Sequence, residues 1–260
     1  MKDTSILENN GINVKKSLEL FGDMQTYDQM LEDFLREVDV KLANAKKYMD
    51  NGDMPNYAII VHSLKSDCRY FGIDALADEF YEHELAGKKN DYFFVKSNYD
   101  KLYNDSQNVI NILKKYMGIE VNNISINAQT NTISDKEIIL VVDDSNIIRN
   151  FIQKIFNEKY EVKLASDGEE AISLVGNTPH TALKCMFLDL NMPNVDGFQV
   201  LDYFKKNNLF SIIPVSIITG INDKETIERA FSYPIVDMIQ KPFSEESIRS
   251  VAIKTISSKK

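Results

Sequence analysis

The stretch that most constrains the fold is a short apolar run that ends in an acid. The run from Cys185 to Leu188 leads into Asp189, and turn-forming residues follow as far as Gly197. A continuous apolar run bounded by turn residues is typical of a strand that is buried on both faces of a sheet. Ligands of such sheets bind at the carboxyl ends of the strands. The run therefore predicts a parallel sheet with Asp189 at its functional edge.

Three further apolar runs end in polar residues. The first leads into Asp143 and Asp144, the second ends in Thr219, and the third is followed by Lys241. An aspartate after a strand is often only the cap of the next turn or helix. Three acids, a hydroxyl and an ammonium at the same ends of different strands instead predict a site.

Strand-like and helix-like segments alternate five times in the second half of the chain. The predicted strands are 138–143, 160–165, 186–190, 215–219 and 238–240, and helices begin near Asn146, Gly168, Phe198, Lys224 and Glu245. This alternation predicts a flavodoxin-like, doubly wound α/β fold, with a five-stranded parallel sheet in the order 2-1-3-4-5. Its crevice between strands 1 and 3 would bring Asp143, Asp144 and Asp189 together, and clustered carboxylates favour a hard dication such as Mg²⁺.

The first half of the chain is predicted to be almost entirely helical. Apolar residues recur at spacings of three and four, and the predicted helices are 14–21, 27–49, one that opens at Met54 or Asn56, 74–85 and 92–117. Long amphipathic helices with short connections predict an all-α, up-down bundle. Opposite the apolar stripe of the third helix lie His62, Lys65, Ser66 and Arg69, which are therefore expected to face solvent. A solvated helix face is the simpler interpretation of a lone histidine.

Two segments of the chain resemble known protein families, which adds to these predictions. Residues 136 to 260 resemble the receiver domain of two-component response regulators, through the acids, the hydroxyl, the lysine-proline pair and the Asp-Gly turn. Residues 10 to 118, and above all His62 to Gly72, resemble the histidine phosphotransfer family, whose core is His-x-Leu-Lys-Gly. The chain departs from the first family at Met238, where an aromatic residue is usual, and from the second at Ser66, where glycine is usual. The usual aromatic ring rotates together with the threonine when the domain is phosphorylated. Because Met238 replaces that ring, we expect a smaller conformational change on phosphorylation.

The resemblances imply a role for each candidate residue. His62 and Asp189 would carry the phosphoryl group in turn, with Lys65 beside the histidine. Asp144, Asp189 and the backbone carbonyl of Asn191 would bind Mg²⁺ directly, and Asp143 would bind it through water. Lys241 would neutralise charge, and Thr219 would donate a hydrogen bond to a phosphoryl oxygen. The expected function is a phosphorelay, with a histidine kinase and another receiver or histidine phosphotransfer protein as partners.

The predicted domains are a bundle at 1–118, a linker at 119–136 and a receiver at 137–260. A net charge of −9 argues against nucleic acid, and the absence of a long apolar run argues against a membrane span, so we expect a cytoplasmic protein. We find no glycine-rich nucleotide lid, as a histidine kinase would need, and no DNA-binding output domain. A phosphate-independent adaptor that sequesters two-component partners is the main alternative, and whether the chain forms a homodimer stays open.

Overall fold

The computed structural model describes residues 2–119, 136–221 and 223–259. It divides into two compact units, residues 1–130 and 131–260, which are described separately below. The predicted linker at 119–136 lies almost entirely outside the described residues. Within the described part of the chain, no helix is long and apolar enough to cross a membrane.

The N-terminal unit is a helical bundle, as predicted. Its helices are α1 (Ser5–Glu8), α2 (Val14–Phe21), α3 (Met24–Asp50), α4 (Met54–Tyr70), α5 (Asp74–Lys88) and α6 (Tyr92–Met117). The four-residue α1 was not predicted, because so short a helix shows no period. Helix α3 begins three residues earlier than predicted, because the Asp23 side chain accepts a hydrogen bond from the Thr26 backbone N–H and caps the helix there.

The bundle core contains a buried ion pair as well as apolar side chains. The Lys41 ammonium on α3 donates to the Asp67 carboxylate at 2.7 Å and to the Ser63 hydroxyl at 2.9 Å on α4. The Asp67 side chain is 1% exposed and that of Lys41 is 10% exposed. Buried charges must be neutralised, so this pair links α4 to α3 within the core.

The C-terminal unit has the predicted five-stranded parallel sheet, in the order β2-β1-β3-β4-β5. The strands are β1 (Ile138–Val142), β2 (Glu161–Ala165), β3 (Leu183–Leu188), β4 (Val215–Thr219) and β5 (Asp237–Gln240). The helices are α7 (Asn146–Phe156), α8 (Gly168–Asn177), α9 (Gly197–Lys206), α10 (Lys224–Phe231) and α11 (Glu245–Ser257), with one turn of 3-10 helix at Leu209–Ser211.

The central strand β3 lies earlier in the chain than the predicted 186–190. Its pairing with β1 starts at Leu183, opposite Ile138, and ends at Leu188. Leu190 belongs to the following turn, where its carbonyl oxygen accepts from the Gly197 backbone N–H at 3.1 Å. Asp189 therefore lies directly beyond the strand, and its own N–H donates to the Val142 carbonyl at 2.8 Å. This bond holds the acid at the sheet edge, next to the end of β1.

Candidate functional site

The three predicted acids meet at the carboxyl edge of the sheet. Asp143 and Asp144 follow β1 and Asp189 follows β3, and one carboxylate oxygen of each lies within 4.8 Å of the others. Asp143 and Asp189 are fully buried, while Asp144 is partly exposed. An all-oxygen donor set of this size fits a hard dication of the Mg²⁺ class.

Lys241 places an ammonium between two of these acids. Its Nζ donates to Asp189 Oδ2 at 2.6 Å and forms an ion pair with Asp143 Oδ2 at 2.7 Å. Burial works against the charged ammonium, but the surrounding carboxylates outweigh it and raise the pKa of Lys241 above its usual range. Burial and the adjacent Asp189 and Asp144 carboxylates raise the pKa of Asp143, against the opposing effect of Lys241. The site thus holds a permanent positive charge beside a crowded set of acids.

Thr219 and Asn191 border the same cluster. Thr219 ends β4, is fully buried, and its hydroxyl oxygen accepts from the Ile221 N–H at 3.1 Å. Its carbonyl oxygen accepts from the Lys241 N–H at 2.8 Å, so the hydroxyl and the ammonium come from neighbouring strand ends. The Asn191 N–H donates to Asp189 Oδ1 at 3.2 Å. Gly197 is required behind the acid, because a Cβ there would overlap the Asp189 carbonyl oxygen.

The predicted exposure of His62 is wrong. The residue is 2% exposed, Ser66 is also buried, and Lys65 and Arg69 are only partly exposed. The cause is α5, which packs antiparallel to α4 and covers the face that the sequence pattern assigned to solvent. His62 lies in the contact between these two helices.

Glu84 on α5 is the acid that meets His62. His62 Nδ1 lies 2.8 Å from Glu84 Oε1, Lys65 Nζ donates to Glu84 Oε2 at 2.5 Å, and Lys88 Nζ donates to Oε1 at 2.6 Å. Burial raises the pKa of Glu84, but the hydrogen bond from His62 and the adjacent positive charge of Lys65 outweigh it and hold this pKa well below the usual range. Burial also lowers the pKa of Lys65, against the attraction of Glu84.

This contact determines which imidazole nitrogen is available. An ionised carboxylate only accepts hydrogen bonds, so Nδ1 of His62 carries the hydrogen and donates this bond to Glu84. In the neutral ring the lone pair is then on Nε2. Among the described residues, Nε2 is buried and has no hydrogen-bond partner. The histidine therefore presents one fixed, unpaired nitrogen.

The sequence interpretation missed Glu84, although a signal for it exists. Ala77, Phe80 and Gly87 are buried at helical spacing on α5, and Glu84 occupies a position in that same stripe. A single acid within an apolar stripe needs a partner, because an unpaired buried charge is costly. A cation or imidazole on the facing helix is the expected partner.

Two family models match the chain. The model of the Hpt domain matches residues 29–88, and the model of the response regulator receiver domain matches residues 139–253. The chain joins an N-terminal Hpt domain to a C-terminal receiver domain. The Hpt match contains both His62 and Glu84, and the receiver match contains the acid cluster and Lys241.

Known relatives match about half of this Hpt-receiver protein or less. It is 36% identical over 107 residues to response regulator RR06 of Streptococcus pneumoniae, covering 41% of this chain and 46% of that protein. It is 29% identical over 126 residues to the sensor histidine kinase TmoS of Ectopseudomonas mendocina, covering 48% and 13%. It is 27% identical over 128 residues to hybrid signal transduction histidine kinase D of Dictyostelium discoideum, covering 49% and 8%. The chain thus spans less than half the length of each, and its domain pair supports a role in phosphorelay signalling.

Proposed function

We propose that this protein carries phosphoryl groups on His62 of its Hpt domain and on Asp189 of its receiver domain, between a histidine kinase and another receiver or Hpt protein. The observation that carries the proposal is the bonding of His62. Glu84 accepts the hydrogen bond from Nδ1–H of His62 and leaves Nε2 unpaired, which is the arrangement a nitrogen nucleophile needs.

The histidine step needs no proton transfer. The Nε2 lone pair attacks phosphorus, the bond between phosphorus and the donor oxygen breaks, and the imidazole gains a positive charge. Glu84 stabilises that charge through the Nδ1 hydrogen bond, which becomes stronger as the ring becomes cationic. The Lys65 ammonium lies 3.2 Å from Nδ1, and its charge is proposed to offset part of the phosphoryl charge on the ring.

The aspartate step uses the receiver site. An Asp189 oxygen attacks phosphorus of a phosphohistidine, the phosphorus–nitrogen bond breaks, and its electrons return to the imidazole. Lys241 neutralises charge next to Asp189, and Thr219 can offer its hydroxyl to a phosphoryl oxygen once the acyl phosphate exists. Positioning and charge neutralisation account for most of the rate of such a transfer.

The acid cluster is proposed to hold Mg²⁺. Asp144, Asp189 and the backbone carbonyl of Asn191 would be its direct ligands, and Asp143 would act through water. The ion would supply charge neutralisation for the phosphoryl oxygens. The oxygen-only donor set supports this assignment, and so does the raised pKa of Asp143, which burial and the neighbouring Asp189 and Asp144 carboxylates cause.

The burial of His62 has a direct consequence for the relay. Attack on phosphorus requires Nε2 to be accessible, so the side chains that cover it must move when a partner docks. Diethyl pyrocarbonate, which modifies accessible imidazole nitrogen, should therefore react more slowly with His62 than with the partly exposed His180 in the resting protein. Equal rates, mapped by peptide mass spectrometry, would contradict a covered His62.

The same burial favours a second candidate, a phosphate-independent adaptor that sequesters two-component partners. One experiment separates the two functions. The purified protein is mixed with Mg²⁺ and a phosphorylated donor receiver, and acid-labile and base-labile label are measured in the wild type, His62→Gln and Asp189→Asn. Phosphoimidazole is acid-labile and acyl phosphate is base-labile. The relay predicts that each substitution removes its own class of label, whereas an adaptor takes up no label and keeps its partner affinity in both variants.

A cytoplasmic location completes the proposal. It is supported by Cys68 and Cys185, which are both buried and free, as expected in a reducing compartment.

A further inference from the structure

Gly87 of α5 packs directly against Ala58 of α4, near the histidine site. A Cβ built on Gly87 would lie 3.0 Å from the Cβ of Ala58, 3.2 Å from its Cα and 3.3 Å from its backbone nitrogen. These distances are shorter than ordinary van der Waals contact. The two helices can therefore keep their present separation only if position 87 has no side chain.

The backbone conformation does not explain this glycine. Gly87 is inside α5 and has no positive φ, and the left-handed residue that follows the helix is Asn90, with φ 57°. Gly87 lies in the last turn of α5, which ends at Lys88, and glycine within a helix is less favourable than alanine. The close contact with Ala58 therefore explains this residue better than the backbone conformation does.

The close contact lies one turn away from the hydrogen bond that orients the histidine. His62 follows Ala58 by four residues on α4, and Glu84 precedes Gly87 by three residues on α5. The helices are antiparallel, so both pairs belong to the same strip of the α4–α5 contact. A change in helix separation at Ala58 and Gly87 must therefore alter the 2.8 Å distance between His62 Nδ1 and Glu84 Oε1.

We propose that Gly87 is a positioning residue for phosphoryl transfer, because its missing side chain sets the α4–α5 separation at which Glu84 binds Nδ1 of His62. This inference rests on the proposed function of His62. Adding a methyl group at position 87 pushes α5 away by a few tenths of an ångström, which weakens the hydrogen bond without removing the carboxylate. Transfer to His62 should fall about three- to tenfold, since this bond to a charged group is only partly lost.

The test uses Gly87→Ala in the full chain, with two measurements. The first is the ¹⁵N chemical shifts of the His62 ring, which report the proton on Nδ1 without any phosphoryl transfer. The second is the rate of transfer from a phosphorylated receiver. Gly87→Ala should shift the ring signals towards a mixture of tautomers and slow transfer. Ala58→Gly/Gly87→Ala, which removes the 3.0 Å contact but keeps the two backbone contacts, should restore part of both.

Gly176→Ala is the matched control. Gly176 is also a helical glycine, in α8, but a Cβ there would meet nothing within 4 Å. This variant should leave both measurements unchanged. If Gly87→Ala does not fold, Ala58→Ser presses on the same contact from α4 and takes its place.

Wild-type ring signals in the folded Gly87 or Ala58 variant overturn the inference, and so does an unchanged transfer rate when the ring signals shift. Failure of the wild type to label His62 instead overturns the proposed function, because the ring signals test the helix spacing independently of transfer.

Discussion

Replacement of Glu84 by alanine tests the chemistry of the histidine site most directly. The substitution removes the acceptor of the 2.8 Å bond from His62 Nδ1 and the partner of the Lys65 and Lys88 ammonium groups. A hydrogen bond to a charged group contributes about 1.5–3 kcal/mol. The bond matters most in the transition state, where the imidazole becomes positive, so its loss should slow transfer to His62 about 10- to 150-fold.

The assay is rapid-quench transfer from a phosphorylated receiver, with the acid-labile label measured at pH 7. Glu82→Ala is the matched control, because Glu82 lies two residues away on the exposed face of α5. Thermal unfolding by circular dichroism checks that both variants are folded. Transfer at the wild-type rate in folded Glu84→Ala would refute the role of the carboxylate.

Three further predictions follow from buried charges. Asp67→Ala should destabilise the Hpt domain by about 3–5 kcal/mol in urea unfolding, because it removes the carboxylate that neutralises Lys41. The double variant Lys41→Met/Asp67→Leu should recover most of this loss. Similar unfolding midpoints for Asp67→Ala and wild type would contradict this prediction. The pKa of Glu84 is lower in the folded state than in the unfolded state, so its charge stabilises the fold above the unfolded pKa of about 4.3 and this stabilisation is lost as the pH falls further. The difference in unfolding free energy between wild type and Glu84→Gln should therefore narrow below pH 4. A difference that stays constant would argue against the depressed pKa. Asp143→Asn should weaken Mg²⁺ binding about 10- to 100-fold in isothermal titration calorimetry, and unchanged affinity would exclude Asp143 from the metal site.

The receiver half could be predicted closely, because its site is built from strand ends. Each buried strand is an apolar run that is visible in the sequence, and the first polar residue after it must lie at the sheet edge. Asp143, Asp189 and Lys241 therefore converge through backbone pairing alone. The limits of β3 were less predictable, because they depend on where its pairing with β1 begins.

The histidine half could be predicted only in part. Helix periodicity indicates which residues share a face, but it does not show how many faces a neighbouring helix covers. The apolar stripe of α4 was identified correctly, whereas His62 was assigned to solvent although α5 covers it. Glu84 was missed because its importance depends on a contact between two helices.

By itself, the sequence determined the two fold classes, the order of the sheet and the identity of the acid cluster. The fold classes follow from local periodicity, the acid cluster follows from the rule that parallel strands end at the same edge, and the order of the sheet is that of the flavodoxin-like topology. The burial of His62, its hydrogen bond to Glu84 and the close contact of Gly87 with Ala58 became visible only with the packed helices. The physical reason is that helices satisfy their own backbone hydrogen bonds, so their mutual distance is set by side-chain volume and charge pairing, which become visible only when the helices are packed.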